Sequence, residues 1–335
     1  MKSLILPPLS VLYGAVTRTR LLLYQRGTFH STKVDRPVIS VGNITTGGTG
    51  KTPLVEWVAR TVANAGKKVC ILTRGYGRDN PDRIVVVSDG KTVLATPSDA
   101  GDEPFLLATN LLETAAVISS ADRVAAGNEA IRQFDTDCFV LDDGFQHLRL
   151  ERDLNIVTID ATNPWGGGHL LPYGRLREPL SGLSRADCIV ITRVDQANNT
   201  TKLQTDIRRY AGDVPVFESR MHNSRITRLD GSSNELVPPV AAFCAIGNPR
   251  SFFNQVPYES VVQKSFPDHH RYSQSDIDSL IDTARRAGTN SLITTAKDAV
   301  KLRSLSFSLP CFVLEIEPRI DNADELIQLI RSALR

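Results

Sequence analysis

Gly47-Gly48-Thr49-Gly50-Lys51-Thr52 follows the apolar segment Val38-Ile39-Ser40-Val41 and precedes a helical pattern that opens near Pro53. A strand, a glycine-rich turn and a helix in that order aim several backbone N–H groups at one spot. The positive end of the helix dipole stands behind them. Lys51 adds a mobile positive charge, and the Thr52 hydroxyl can ligate Mg²⁺. The run Thr45, Thr46, Gly47, Gly48, Thr49, Gly50, Lys51, Thr52, Pro53 therefore reads as a nucleoside-triphosphate cradle, a P-loop. The common spacing of this motif puts a glycine at position 45, where this chain has Thr45. Its glycines crowd against the lysine instead, as in loops of Gly-Gly-x-Gly-Lys-Thr type.

Outward from that loop, apolar runs alternate with helical patterns as they do in α/β domains. Strands are predicted at Val38–Val41, Val69–Thr73, Ile84–Ser88, Ala116–Ser119, Cys138–Asp142, Leu154–Ile159 and Cys188–Thr192, with helices at Pro53–Ala65, Glu103–Leu112 and Arg123–Phe134. Runs apolar on both faces imply a mostly parallel sheet covered by helices. Residues 216–237 change character: Phe217–Met221 and Ser224–Leu229 look like two short strands of a β-ribbon linker. A second α/β unit follows, with strands at Val240–Ala245, Ser291–Thr295 and Cys311–Ile316 and helices at Ile277–Arg286 and Ala323–Leu334. The expected organisation is an arm over 1–34, a P-loop domain over 35–215, a linker over 216–237 and a smaller α/β domain over 238–335.

The 335 residues suffice for two ordinary domains, and 41% apolar with 23% charged content fits a globular core. A net charge of +2 lacks the concentrated basic face of a nucleic-acid binder. The five cysteines are scattered without a CxxC pair and read as small buried hydrophobes in a reducing compartment. The first 34 residues differ from the rest, with five basic groups and no acidic one among many leucines. Pro7-Pro8, Arg18 and Arg20 cut the apolar stretch short of the ~20 residues that a spanning helix needs. A helix from about Leu9 to Tyr24 suits the membrane interface, its apolar side among acyl chains and its cations on anionic head groups. The bland alternative is a helix packed on the protein's own core.

Several polar constellations could carry chemistry. Asp142-Asp143-Gly144-Phe145-Gln146-His147 closes the strand Cys138–Leu141, the place where P-loop proteins keep a Mg²⁺-associated aspartate. Adjacent carboxylates repel unless a cation or several N–H donors lie near. Gly101-Asp102-Glu103-Pro104 is a second acidic turn; it is either a helix cap or a source of the carboxylate that takes an acceptor's hydroxyl proton. Arg74-Gly75-Tyr76-Gly77-Arg78 and Arg175-Leu176-Arg177-Glu178 offer arginines for phosphate or for surface ion pairs. Asp268-His269-His270 pairs a carboxylate with imidazoles suited to acid–base work, and Thr294–Lys301 ends a strand with Lys297 and Asp298.

In order over almost the whole length, these segments resemble the tetraacyldisaccharide 4′-kinase family, the lipid A kinases of Gram-negative bacteria. The matching stretches are Leu9–Tyr13, Val41-Gly42-Asn43 with Gly47–Pro53, Arg74–Gly77, Gly101–Pro104, Asp142–His147, Arg175–Pro179, Phe266–Tyr272 and Lys297–Lys301. The resemblance implies transfer of the ATP γ-phosphate to the 4′-hydroxyl of a tetraacylated glucosamine disaccharide 1-phosphate, giving lipid IVA. It also implies a P-loop domain and a smaller α/β domain joined by a β-ribbon, with Mg²⁺ and ATP as cofactors. By that likeness Lys51 and Thr52 hold phosphate and metal, and Asp102 pairs with His269 to accept the proton. Glu103, Asp142 and Asp143 serve the metal, while Asn43, Tyr76, Arg78, Gln146, His147, Arg177 and Glu178 contact substrate. The expected partners are the lipid acceptor and the cytoplasmic face of the bacterial inner membrane, met by a monomer through its arm, with no nucleic acid. Two rivals stand beside this reading. One is a membrane-associated P-loop switch, against which Thr46 occupies the place of a signature lysine. The other is a soluble small-molecule kinase, which predicts full activity after loss of residues 1–24.

Overall fold

Val69-Cys70-Ile71-Leu72-Thr73 is apolar on both faces of the pleat, and all five residues are buried within one strand. The same pattern recurs along the chain and builds a sheet covered on both sides. The structure, a computed structural model, describes residues 2–197, 199–233 and 235–335, with only the backbone for 2–5. Met1 and Asn234, which fall in the predicted arm and linker, lie outside the described residues. The chain divides into two compact units, 1–220 with 318–335, and 221–317.

The first unit runs α1 (Lys2–Gln25), β1 (Val38–Gly42), α2 (Lys51–Asn64), β2 (Val69–Thr73), β3 (Val85–Ser88), α3 (Pro97–Ala100), α4 (Asp102–Asn110), β4 (Ala115–Ser119), α5 (Arg123–Phe134), β5 (Cys138–Asp142), β6 (Leu154–Asp160), β7 (Cys188–Thr192), α6 (Thr201–Ala211) and into β8 (Val216–Arg228). Its strands lie in the order β8-β7-β6-β1-β5-β2-β4-β3. Every pairing is parallel except that of the edge strand β3. The carboxyl ends of β1, β2, β4, β5, β6 and β7 therefore share one edge, where α/β sheets bind ligands. One face of the sheet packs Leu54, Val55, Val58 and Leu107 from α2 and α4; the other packs Ala126 and Ala130 from α5.

The second unit contains β9 (Val240–Cys244), α7 (Pro249–Gln255), β10 (Ser260–Ser265), α8 (Gln274–Arg286), β11 (Ser291–Thr295), α9 (Ala296–Leu302) and β12 (Cys311–Ile320). Its strands are ordered β10-β9-β11-β12-β8, with β10, β9, β11 and β12 paired in parallel. Phe243, Ile277, Leu280 and Leu292 fill its core. The chain crosses between units within β8 and within β12.

Three sequence-based boundaries move. The final helix α10 (Ala323–Ala333) belongs with the P-loop unit and not with 238–335. Leu326 and Ile330 are fully buried in the cluster that holds Leu54, Val55 and Val58, so apolar burial decides the matter over chain order. The predicted pair of short strands in the linker is a single strand, β8. Asn223, between the two predicted strands, donates its Nδ2 to the Gln255 carbonyl at 2.8 Å, and the strand continues through it. Finally, α1 begins at Lys2 and includes Pro7 and Pro8. Each proline forfeits one i→i−4 hydrogen bond, to the carbonyl of residue 3 or of residue 4.

The arm helix is two-faced. Ser10 Oγ donates to the Leu170 carbonyl at 2.7 Å, Tyr13 OH to the Arg177 carbonyl at 2.8 Å, and a Cβ on Gly14 would lie 2.7 Å from Leu170. Residues 10, 13 and 14 thus form the docked side, at i, i+3, i+4. Leu9, Leu12 and Val16 lie on the opposite side and are exposed. No helix among the described residues is long and apolar enough to cross a membrane. All five cysteines are free and buried.

Candidate active site

The P-loop leaves β1 and turns through Gly47 (φ 112°) and Gly50 (φ 78°), conformations that favour glycine. Helix α2 starts at Lys51 with Gly50 as its N-cap and no side-chain cap. Its first N–H groups and the positive dipole end are thereby left for an anion. The loop is held from beneath by hydroxyls. Asn43 Nδ2 donates to Thr49 Oγ1 at 2.8 Å, Thr49 Oγ1 lies 2.9 Å from Thr158 Oγ1, and Thr192 Oγ1 donates to the Thr49 carbonyl at 2.9 Å. Asn43 is thus part of the loop's scaffold. The predicted cradle is also trimmed at one end. Thr46 N–H donates to the Arg175 carbonyl at 2.7 Å, and Thr45 pairs with Leu176. That pairing explains why position 45 needs no glycine: it continues as extended backbone, and the cradle begins at Gly47.

Lys51 Nζ lies 3.5 Å from Asp143 Oδ1, and Arg177 Nη1 donates to both oxygens of Asp143 at 2.8 and 2.7 Å. Burial disfavours the Asp143 carboxylate, but Lys51 and Arg177 outweigh it and hold its pKa well below the usual carboxylate range. Asp142, on the other side of the same strand end, accepts from Thr73 Oγ1 at 2.9 Å. Burial, then the charges of Glu103 and Asp143, push its carboxyl upward. Two neighbouring aspartates are thus driven apart, one neutralised by cations and one in want of them. No group of three or more His, Cys, Asp or Glu side chains among the described residues is set to hold a metal alone. A hydroxyl and carboxylates such as Thr52, Glu103 and Asp142 are nonetheless the hard oxygen donors Mg²⁺ prefers when phosphate oxygens complete its shell. The strained charge at Asp142 is what a divalent cation would relieve.

Arg123, at the start of α5, is a residue the sequence reading missed. It is buried, and its pKa falls to about 10 through burial, opposed by Asp142 and Asp143, so it remains a cation at neutral pH. His147 is lowered to about 4 by burial and then by Arg123 and Arg152, and its Nε2 is buried without a hydrogen-bond partner. Its imidazole is neutral.

Some predicted contact residues turn inward. Glu178 is buried, takes Gln146 Nε2 at 2.7 Å and Arg185 Nη2 at 2.7 Å, and leaves no room for a side chain at Gly182. Gln146 Nε2 also donates to the Asn43 carbonyl at 2.8 Å. Arg78 is buried, donating to the Ser119 carbonyl at 2.8 Å and to the Pro81 carbonyl. These three expected substrate contacts act as braces of the loop edge, because burial gives their polar groups protein partners. Tyr76, by contrast, is half-exposed, with the Arg74 guanidinium 4.9 Å from its ring centre. Asp102 and Glu103 open α4 behind Gly101. Gly75 (φ 68°) packs so closely here that a Cβ would sit 2.1 Å from Ser119 Oγ and 2.4 Å from the Ala100 carbonyl.

In the second unit, His269 and His270 part company. His270 stacks on Phe266 and its Nε2 lies 3.2 Å from Asp276 Oδ2, within the cap of α8. His269, at φ 60°, has its Nε2 3.3 Å from Lys297 Nζ, which is also 3.6 Å from Asp268. His270 is tied into the cap of α8, while His269 lies against Lys297 and 3.9 Å from Asp268. Asp298 is fully buried, accepting from Ala245 N–H at 3.0 Å and Thr295 Oγ1 at 2.7 Å.

A family model described as tetraacyldisaccharide-1-P 4′-kinase matches residues 2–335. Proteins named tetraacyldisaccharide 4′-kinase from Geobacter sulfurreducens and Halothermothrix orenii are 41% and 37% identical over 327 and 352 residues. Those alignments cover 92% and 97% of this chain and 88% and 91% of the relatives. A crystal structure of LpxK from Aquifex aeolicus in complex with ATP matches at a TM-score of 0.75 and 31% identity, covering 98% of each chain.

Proposed function

The chain belongs to the tetraacyldisaccharide-1-P 4′-kinase family, and from that premise we propose how it works as an ATP-dependent lipid kinase. The acceptor is the 4′-hydroxyl of a tetraacylated glucosamine disaccharide 1-phosphate, and the product is lipid IVA. The observation that supports this most directly is the loop edge. The uncapped start of α2 and Lys51 converge there beside a carboxylate that Arg177 neutralises.

Peptide N–H groups from Gly47 to Thr52 and the Lys51 ammonium hold the triphosphate. Asp143 holds Lys51 in place from one side, and Arg177 anchors Asp143 from the other. Thr52, Glu103 and Asp142 would hold Mg²⁺, which would supply neutralisation of charge on the phosphate oxygens. In the transfer, the acceptor oxygen forms a bond to the γ-phosphorus as the bond to ADP breaks. Asp102 takes the hydroxyl proton, with His269 the second residue assigned to proton transfer. Tyr76, His147 and Arg177 are assigned to the acceptor.

The exposed stripe Leu9, Leu12, Val16, with Arg18 and Arg20 beside it, supports interfacial binding at the cytoplasmic face of the inner membrane. The docked side of α1 faces its own unit, so both sides of the helix have a use. The protein is proposed to act as a monomer. The test is incubation with γ-labelled ATP, Mg²⁺ and the disaccharide 1-phosphate in detergent micelles. Label in the lipid is expected; ATP hydrolysis with unlabelled lipid would overturn the reading.

A further inference from the structure

Arg193 follows the last residue of β7 and is buried, in the left-handed region at φ 57°. A non-glycine residue there is strained and persists only where its surroundings demand it. Its guanidinium forms a buried ion pair with Asp160 at the end of the neighbouring strand β6, and Nη1 also donates to the Gly48 carbonyl at 2.7 Å. The residue before it, Thr192, donates to the Thr49 carbonyl at 2.9 Å. Two consecutive peptide groups of the P-loop are thus held by their oxygens from one strand end.

That geometry has a consequence for the other side of each peptide. In a trans peptide the C=O and N–H point in opposite directions. Holding the carbonyls of Gly48 and Thr49 toward β7 turns the N–H groups of Thr49 and Gly50 away from it, toward the open side of the loop. The strained backbone of Arg193 and the desolvation of its charge are costs that a plain surface turn would not retain. We propose that Arg193, seated on Asp160, is a positioning residue of the P-loop: it fixes the Gly48 peptide so that the amide beyond it is preset for phosphate. The role is to bind the triphosphate, not to touch the reacting atoms. It rests on ATP occupying this loop.

The test uses the full chain in two readouts. The first is steady-state kinetics of Arg193→Met and Arg193→Lys. Arg193→Met is expected to raise the KM for ATP roughly 10-fold or more, since it removes a charge-assisted hydrogen bond. The KM for the lipid should stay within about twofold, and Arg193→Lys should recover most of the loss because it keeps a cationic donor. The second readout is the backbone amide NMR spectrum of the nucleotide-free protein, where Arg193→Met should broaden the resonances of residues 48–50 as the Gly48 peptide loses its fixed orientation. If Arg193→Met leaves Asp160 buried without its partner and fails to fold, the double variant Asp160→Leu with Arg193→Met removes both charges and serves instead. An unchanged KM for ATP, an equal rise in both KM values, or unbroadened amide resonances at residues 48–50 would each overturn the proposal. Wild type that fails to bind ATP would sink the kinase reading, while the amide spectrum of the nucleotide-free protein would still judge the brace.

Discussion

His147 gives the sharpest pH prediction. Its ring is held neutral in the fold, with a pKa near 4 caused by burial and by Arg123 and Arg152. In the unfolded chain the same ring titrates near 6.5. Above about pH 6.5 it is neutral in both states and changes nothing. Between roughly 6.5 and 4 only the unfolded chain takes the proton, so stability falls as pH falls. Linkage between those two values makes the loss about 2 kcal/mol at pH 5 and about 3 kcal/mol once both states are protonated. The comparison is wild type against His147→Gln, which cannot titrate, by urea unfolding at pH 7.5 and pH 5.0. Both tryptophans, Trp57 and Trp165, lie in the first unit, so their fluorescence follows the unit that holds His147. Other groups titrate in both proteins and cancel in the difference. Wild type should lose about 2 kcal/mol more than the variant over this range. Parallel losses would refute the claim that the ring is buried neutral beside two arginines.

Three further outcomes are expected. Leu326→Ala should destabilise the first unit by about 2–4 kcal/mol in the same tryptophan-monitored unfolding, because Leu326 is fully buried in the P-loop core; no change would return α10 to the other unit. Asp102→Asn should lower kcat by roughly 10²-fold or more while calorimetry finds ATP affinity kept, and an unchanged rate would remove Asp102 from the mechanism. Replacing both Leu12 and Val16 with Glu should weaken sedimentation with vesicles rich in anionic lipid and leave the thermal midpoint near that of wild type, since both side chains are exposed. Equal vesicle binding by the variant would confine α1 to a purely structural role.

Much of the P-loop unit was legible in the chain. Its strands are continuous apolar runs buried on both faces, and β2, β5 and β7 span the predicted residues. The glycines next to Lys51 announced the loop for a physical reason, since Gly47 and Gly50 adopt positive φ. What stayed hidden depends on contacts distant in sequence. Nothing near Arg193 tells that its partners are Asp160 and Gly48, which only parallel pairing of β6 and β7 brings together. Arg78 and Glu178 look like phosphate and substrate ligands because charge usually stays exposed; their burial reverses that inference. The strand β10 escaped notice because its Ser260–Ser265 sequence is largely polar and lies at an edge. Likewise α10 follows the second unit in the chain, yet its apolar stripe finds the first unit's core.

The reaction is transfer of phosphate from ATP to the 4′ position of an acylated disaccharide. Its most direct test is mass spectrometry with fragmentation of the lipid recovered after incubation with ATP and Mg²⁺. The expected product carries one added phosphate on the distal glucosamine at the 4′ oxygen, and none forms with Lys51→Met. A phosphate at any other position, or an unmodified lipid beside accumulating ADP, would contradict it.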